Sequence, residues 1–211
     1  MKNLLKAGIA KADITPPMGI RITGYYKDRF AEGVLDNIYT VALALSVEDK
    51  KVLFITVDNC GIKQSVLNEF RTFVSEKTGV PFEGIYVHST HTHTGPKVWP
   101  ECDNEVERIY RETVKLKMAD AAILAIQDLK DAKMGTGVSV APNISFVRRF
   151  RMKDGSVKTN PGVNNPDIVA PIGEIDDTVN VIRFAREDAE DIVLINFADH
   201  PDTVGDRKSV V

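Results

Sequence analysis

The core of the fold is predicted by residues Lys51–His88, which read KVLFITVDNCGIKQSVLNEFRTFVSEKTGVPFEGIYVH. Its opening KVLFITV is a continuous apolar run, which is typical of a strand buried on both faces of a helix-covered sheet. Residues 63–78 carry apolar side chains at helical spacing, and Gly79 and Pro81 end that helix. Gly84–His88 is a second short apolar strand. Strand, helix and strand of these lengths make a βαβ unit, which predicts two parallel strands joined by a right-handed crossover.

Further strands and a long helix flank this unit. Ile38–Val47 is a strand that would form a hairpin with the strand at Lys51, and Leu4–Ile14 is an earlier strand. Asn104–Leu129 carries apolar residues three and four apart, which predicts the longest helix. More strands are expected at Met134–Val140, Arg148–Met152, Ser156–Thr159, Val179–Phe184 and Asp191–Phe197, with long loops over residues 18–37 and 160–175. The pattern predicts an α/β fold in a single domain over residues 1–211, with a mixed sheet whose buried parallel strands are flanked by helices.

Composition and charge narrow the functional classes. The 211 residues are 43% hydrophobic and 27% charged, which is ordinary for a soluble globular protein. The formal net charge of −3 gives no generally basic surface, so nucleic acid is not expected as a partner. No apolar run approaches the ~20 residues that a transmembrane helix needs, and no signal-peptide core is visible. A cytoplasmic location is therefore expected, with export of a longer precursor to the periplasm or the exterior as the alternative; the oligomeric state is left open.

Several familiar catalytic signatures are absent from the sequence. It contains no HExxH, GxSxG or GxxxxGK[ST] motif, and the GTG at residues 135–137 does not complete a dinucleotide fingerprint. Serine-triad hydrolysis, P-loop phosphoryl transfer and Rossmann redox chemistry therefore lack their signals. The two cysteines, Cys60 and Cys102, lie in no CxxC motif and lack zinc-site spacing, so we interpret both as structural thiols.

Three of the four histidines lie in Tyr86–Pro96, YVHSTHTHTGP, directly after the second strand of the βαβ unit. Neutral imidazole is the commonest protein ligand of metals such as zinc, and a shared divalent ion would favour such crowding. His91 and His93 are two residues apart, so in extended backbone they point the same way. Both could bind one ion, or one could bind metal while the other meets a substrate. His88 is offset by an odd number of residues and should point elsewhere, as a core or interface histidine. A role as a metal ligand, or as a group that orients the ligands, stays open.

Polar residues also follow two other predicted strands. Asp58 follows KVLFITV, and Asp199 and His200 follow IVLINF. Sites in α/β sheets collect beyond the carboxyl ends of strands, so if these strands lie side by side their polar ends would meet the histidines in one metal site. His200 would then be a ligand, and Asp199 would orient it. Asp58 either orients a ligand or caps the following turn.

Arg148 opens a run of three arginines within four residues, Arg148-Arg149-Phe150-Arg151, before the tight turn Lys153-Asp154-Gly155. One interpretation is that these arginines lie on the solvent-exposed face of a hairpin. The other is an arginine that reaches an anionic or carbonyl group of a substrate.

In these blocks the sequence resembles the neutral/alkaline (non-lysosomal) ceramidase family, in its large N-terminal catalytic domain. The resemblance begins at AGIAKADITPP and Gly24-Tyr25, is strongest at THTHTGP, where family members carry a closely similar THTHSGP, and resumes at ISFVRRF and NFADHP. It implies a zinc-dependent amidase that cleaves the N-acyl bond of ceramide or a similar lipid. His91 and His200 would be zinc ligands, His93 would contact the substrate or the developing oxyanion, and Arg148 would contact the head group.

This chain departs from the family pattern at three points. Val147 stands where an Asn usually precedes the arginine, and Asp199 stands where many members have Cys. The family's remaining zinc ligands, a Glu and a Tyr, lie beyond the ADHP histidine, so the 211 residues are expected to be an N-terminal fragment that is inactive by itself. Two alternatives stay open: a metal hydrolase of the same fold that acts on another amide or ester, and a non-catalytic binding module without a complete metal site.

Overall fold

The computed structural model describes residues 5–200 and the backbone of residues 209 and 210. In chain order the elements are β1 (Leu5–Asp13), β2 (Arg21–Ile22), β3 (Arg29–Phe30), β4 (Gly33–Val34), β5 (Tyr39–Val47), β6 (Lys50–Val57), α1 (Gln64–Thr78), a 3-10 turn (Phe82–Gly84), β7 (Ile85–Ser89), α2 (Glu105–Gln127), β8 (Lys130–Val140), β9 (Arg149–Met152), β10 (Val157–Thr159), β11 (Ile168–Pro171), β12 (Thr178–Arg186), β13 (Ile192–Phe197) and β14 (Ser209–Val210). The described residues divide into two compact units: unit 1 takes those within Met1–Met134, Arg183–Ile192 and Pro201–Val211, and unit 2 is Gly135–Ile182 and Val193–His200. The prediction of a single domain over residues 1–211 stays a prediction, because this division into compact units does not test it.

Seven strands form a mixed sheet in the order β13-β12-β8-β1-β5-β6-β7. β5 pairs antiparallel with β1 and β6, and β6 pairs in parallel with β7, so that Leu53 lies opposite Ile85 and Val57 opposite Ser89. The α/β class and the parallel pair of the βαβ unit are therefore confirmed. The strand before His200 does not lie beside β6 and β7, which was the condition for all three strand ends to meet, because the order pairs β13 with β12 instead.

Only one face of β6 is fully buried, which corrects the expectation of burial on both faces. That face packs into a core shared with residues of both helices, while the opposite face carries half-buried side chains such as Phe54, which stacks on Tyr86 with ring centroids 5.2 Å apart. The fully buried positions of β6 join the core with residues from α1 and α2, including Leu53, Ile55, Val57, Val66, Phe70, Val74, Val114, Met118 and Ala122.

The long helix α2 begins directly after Asn104, whose side chain caps the helix start. The Asn104 side chain accepts a hydrogen bond from the Glu107 backbone N–H at 2.9 Å, and Glu107 Oε2 accepts one from the Asp103 N–H at 2.9 Å. These bonds satisfy donors that would otherwise be unpaired near the helix start. Tyr110 donates its hydroxyl to the Ile14 carbonyl at 2.7 Å, and burial raises the pKa of Tyr110. Most of the apolar residues that recur three and four apart along α2 are buried in the core, whereas Val106, near the helix start, is exposed.

Unit 2 contains a small antiparallel sheet of order β10-β9-β11. The predicted hairpin is confirmed, because β9 and β10 pair across Lys153-Asp154-Gly155 and Gly155 has a φ of +80°. β11 lies inside the stretch that was expected to be loop. Its sequence, IVAP, is a short apolar run ending in proline, which is too brief for periodicity to identify as a strand. Among the described residues, no helix in either unit is long and apolar enough to cross a membrane.

Candidate metal centre

The histidine loop begins where β6 and β7 end side by side. Because these strands are parallel, their carboxyl ends meet at one edge of the sheet. The Val57 carbonyl at the end of β6 accepts hydrogen bonds from the Asn59 N–H at 2.9 Å and from the Thr90 N–H at 3.0 Å. These two hydrogen bonds therefore link the loop that follows β6 to the loop that follows β7, and both loops carry the polar residues.

Gly95 lets the two loops come into contact. A Cβ atom at this position would lie 3.0 Å from the Asp58 carbonyl oxygen and 3.2 Å from the Asn59 Cα, which is too close to backbone for any larger residue without a shift. Ile62 and Val98 also form a parallel bridge farther along the same two segments. The contact brings residues 58–60 beside the THTHTGP turn.

Cys60, His91 and His93 form a group of metal-binding side chains at this contact. One donor atom from each lies within 4.8 Å of the others. The two imidazoles meet edge to face, with their Nε2 atoms 3.4 Å apart. His91 Nδ1 lies 2.6 Å from the Cys60 carbonyl oxygen and 3.8 Å from the Cys60 Sγ. A carbonyl only accepts hydrogen bonds, so Nδ1 carries the proton and the lone pair of His91 is on Nε2.

The backbone of His91 adopts a strained conformation. Its φ of +62° lies in the left-handed region, which costs a non-glycine residue on the order of 1 kcal/mol. The two histidine rings therefore converge through a turn, whereas the spacing argument assumed extended backbone. Residues held in such conformations cluster at functional sites, and the hydrogen bond to Cys60 is one of the contacts that hold His91 there.

His93 is held by a loop that the sequence did not connect with it. Arg29 Nη2 donates to the His93 carbonyl at 2.5 Å, and its guanidinium lies 3.9 Å from the centroid of the Tyr25 ring. Tyr25 in turn meets the His93 ring edge to face at 5.7 Å. Gly24 packs against the same ring, since a Cβ there would lie 2.4 Å from His93 Cγ. The sequence predicted residues 18–37 only as a long loop, and the resemblance at Gly24-Tyr25 was the one feature that pointed to a functional role for it.

Two predicted orienting residues have other partners in unit 1. Asp58 Oδ2 accepts a hydrogen bond from the Tyr39 backbone N–H at 2.8 Å. His88 Nε2 lies 2.9 Å from the Thr56 hydroxyl across the parallel pair β6–β7. Partial burial of the ring lowers the pKa of His88. These contacts suit structural roles, and an orienting role for either residue stays a prediction.

The remaining predicted residues belong to unit 2. Asp199 and His200 follow β13, with Asp199 exposed and His200 half-buried. Arg148 is exposed just before β9 and lines a cleft of about 360 Å³ together with Phe146, Arg149 and Glu174. Their assignments as ligand, orienting group and substrate contact stay predictions.

The geometry of unit 1 fits a first-row divalent ion. Two nitrogens bound at ~2.0–2.1 Å in tetrahedral geometry lie about 3.3 Å apart, close to the 3.4 Å between the His91 and His93 Nε2 atoms. A ligating histidine usually donates its other N–H to a carbonyl or carboxylate, as His91 does to Cys60. Sequence spacing could not reveal Cys60 as a donor, because its closeness depends on the contact at Gly95.

Comparison with known proteins adds information at the level of the fold. No protein-family description and no curated protein matches the chain. The crystal structure of neutral ceramidase from Pseudomonas aeruginosa matches 97% of the chain with a TM-score of 0.72 and 19% identity. The fold is that of the neutral ceramidases. A second structure, a ceramidase complexed with C2, matches 95% of the chain with a TM-score of 0.71 and 19% identity. The chain spans about a third of the length of these ceramidases, 33% and 32% respectively.

Proposed function

We propose that the protein is a zinc-dependent hydrolase that cleaves the N-acyl bond of ceramide or a ceramide-like lipid. The observation that carries the proposal is the pair of imidazoles placed where two parallel strands end, with Nε2 atoms 3.4 Å apart, so that a substrate held by zinc on one ring would lie beside the other. The neutral ceramidase fold and the THTHTGP block support the same reaction class. A lipid-like small molecule is the proposed substrate.

In this proposal His91 is a zinc ligand through Nε2. Its Nδ1–H bond to the Cys60 carbonyl fixes the tautomer and directs the Nε2 lone pair outward. His200 is proposed as a second ligand because it occupies the histidine of the NFADHP block. Bound zinc would supply a Lewis acid that polarises the amide carbonyl and makes water a better nucleophile near neutral pH.

His93 is proposed to act on the substrate. Tyr25, Gly24 and Arg29 hold its ring and backbone, so an N–H on Nε2 would be directed at the oxygen that gains charge during amide cleavage. Arg148 is proposed to contact the head group, on the resemblance of ISFVRRF. Asp58, Asp199 and His88 would orient these groups without touching metal or substrate.

Metal content tests the first half of the proposal. Elemental analysis of the purified protein is expected to find about one zinc per chain, and His91→Ala is expected to abolish it. Cys102→Ser is the control, because Cys102 lies near the Trp99 carbonyl, has no role in the proposed site and should not change the metal content. A protein without metal above background, or one that keeps its metal in His91→Ala, would overturn the zinc site.

A substrate panel tests the second half. The full-length gene product should be assayed on N-acyl sphingoid bases, N-acyl sugars and simple esters, with and without a chelator. Chelator-sensitive release of fatty acid from ceramide, lost in His93→Ala without loss of zinc, is the expected result. Turnover of another amide or an ester alone would assign a different substrate to the same fold, and metal binding without turnover of any member would favour a binding module.

A further inference from the structure

We infer that Cys60 supplies a thiolate ligand to the metal of this site, an inference that rests on the zinc site proposed above. The first step is the local geometry. The Cys60 carbonyl holds the His91 ring at 2.6 Å, so the backbone of Cys60 and the imidazole have a fixed relation. The thiol of the same residue lies 3.8 Å from that ring and belongs to the group whose donor atoms are within 4.8 Å of one another.

The second step is the distance that coordination requires. A sulfur bound at ~2.3 Å and a nitrogen bound at ~2.0–2.1 Å to one tetrahedral ion lie about 3.5 Å apart. Since Nδ1 of His91 is held by the carbonyl, the ion binds Nε2. The 3.8 Å contact joins Sγ to Nδ1, so it places the thiol beside the ring and is not itself the coordination spacing. Sγ and one donor nitrogen of each histidine lie within 4.8 Å of one another, and rotation about the Cα–Cβ bond of Cys60 would bring the thiol toward Nε2.

The third step is the chemistry of the donor set. A thiolate adds a negative charge and a soft donor beside neutral imidazoles, which favours zinc or cobalt over magnesium or calcium. The ion displaces the thiol proton on binding, so uptake of metal releases a proton to solvent. Cys60 and His91 would then be the two ligands that unit 1 supplies, in addition to the His200 proposed above.

Cobalt(II) titration of the whole chain, in oxygen-free buffer with a non-thiol reductant, tests this assignment. Cobalt bound to thiolate gives a near-ultraviolet charge-transfer band, which nitrogen and oxygen ligands do not give. We expect the band to saturate at about one cobalt per chain. Cys60→Ser should lose the band and bind cobalt at least about tenfold more weakly. Cys102→Ser is the control, because Cys102 is the chain's other cysteine, is also half-buried, and lies near the Trp99 carbonyl instead of a histidine.

The outcomes separate this inference from the proposed function. Stoichiometric cobalt binding that depends on His91 but shows no thiolate band would overturn the role of Cys60 and leave the metal site intact. Absence of cobalt and zinc binding would overturn both. A band that persists in Cys60→Ser and disappears in Cys102→Ser would also overturn the assignment.

Alkylation of the unmutated protein gives a second readout that needs no variant to fold. A ligated thiolate reacts slowly with iodoacetamide, so saturating zinc is expected to slow modification of Cys60 at least about tenfold and to leave Cys102 unchanged. Mass spectrometry of the two cysteine peptides measures both rates in one sample. Equal rates at Cys60 with and without zinc, in a protein shown to hold zinc, would contradict thiolate ligation.

Discussion

Single side chains set the geometry of the donor group, and most of them are far apart in sequence. The Cys60 carbonyl orients His91, Gly24 and Tyr25 contact the ring of His93, and Arg29 holds the His93 carbonyl. Gly24 is decisive because nothing larger fits against the imidazole at that point. Its φ of +102° is also a conformation that other residues rarely adopt.

Gly24→Ala is expected to displace His93 and slow hydrolysis. The new Cβ would lie 2.4 Å from His93 Cγ, so the ring must move, and kcat/KM should fall by about tenfold or more while zinc is retained. Gly19→Ala is the matched control: its φ is +79°, but its Cβ would meet no atom within 4 Å. Both variants should lose on the order of 1 kcal/mol of stability from backbone strain. Turnover by Gly24→Ala at the rate of Gly19→Ala and of the parent would contradict the prediction.

The sequence predicted the long strands and helices better than the short strands. The β6–α1–β7 unit and α2 were predicted within a few residues, since long periodic runs, the end of α1 at Gly79 and the start of α2 at Asn104 leave few alternatives. β2, β3 and β4 are two residues each and depend on pairing partners instead of pattern. The roles of Cys60 and Arg29 were missed for the same reason, because strand register and loop contacts bring them to the histidines.

The pairing of β6 with β7 carries a pH-sensitive contact. His88 faces Thr56 across the pair, and partial burial of the ring lowers the pKa of His88 below its ordinary value of about 6.5. The unfolded chain therefore takes up this proton at a higher pH than the folded chain. The free energy of unfolding of the metal-free protein is expected to fall as pH drops from about 7.5 toward 5, because the unfolded state binds more protons in that window.

His88→Gln should flatten this pH dependence, since glutamine does not titrate there but still offers a hydrogen bond to Thr56. Urea unfolding at several pH values in the presence of a chelator measures the slope. Thr56→Val is the control: it removes the hydrogen bond and keeps the titrating ring, so it should lower stability at every pH while preserving the slope. An unchanged slope in His88→Gln would show that other groups cause the dependence.

At the scale of the whole molecule, buried apolar side chains are unevenly distributed between the two units. Among the described residues, the fully buried apolar side chains lie in unit 1, apart from Met152 of β9. Unit 2 exposes many large apolar side chains, including Val138, Val140, Phe146, Val163 and Ile195. Since buried apolar area is the main source of folding free energy, local stability should be higher in unit 1.

Hydrogen exchange is therefore expected to divide the chain along this boundary. Amides of β5 and β6, beneath the helices, should exchange most slowly, and those of β9, β10 and β11 at least about tenfold faster. Peptide-level mass spectrometry of the native protein measures both sets together. Added zinc should slow exchange in residues 58–60 and 90–95, where the donor group lies, and leave the β9–β11 sheet unchanged. Equal protection of that sheet and of β5 and β6 would show that the buried apolar core of unit 1 does not set local stability. Unit 2 would then reach the same protection although Met152 is the one fully buried apolar side chain among its described residues.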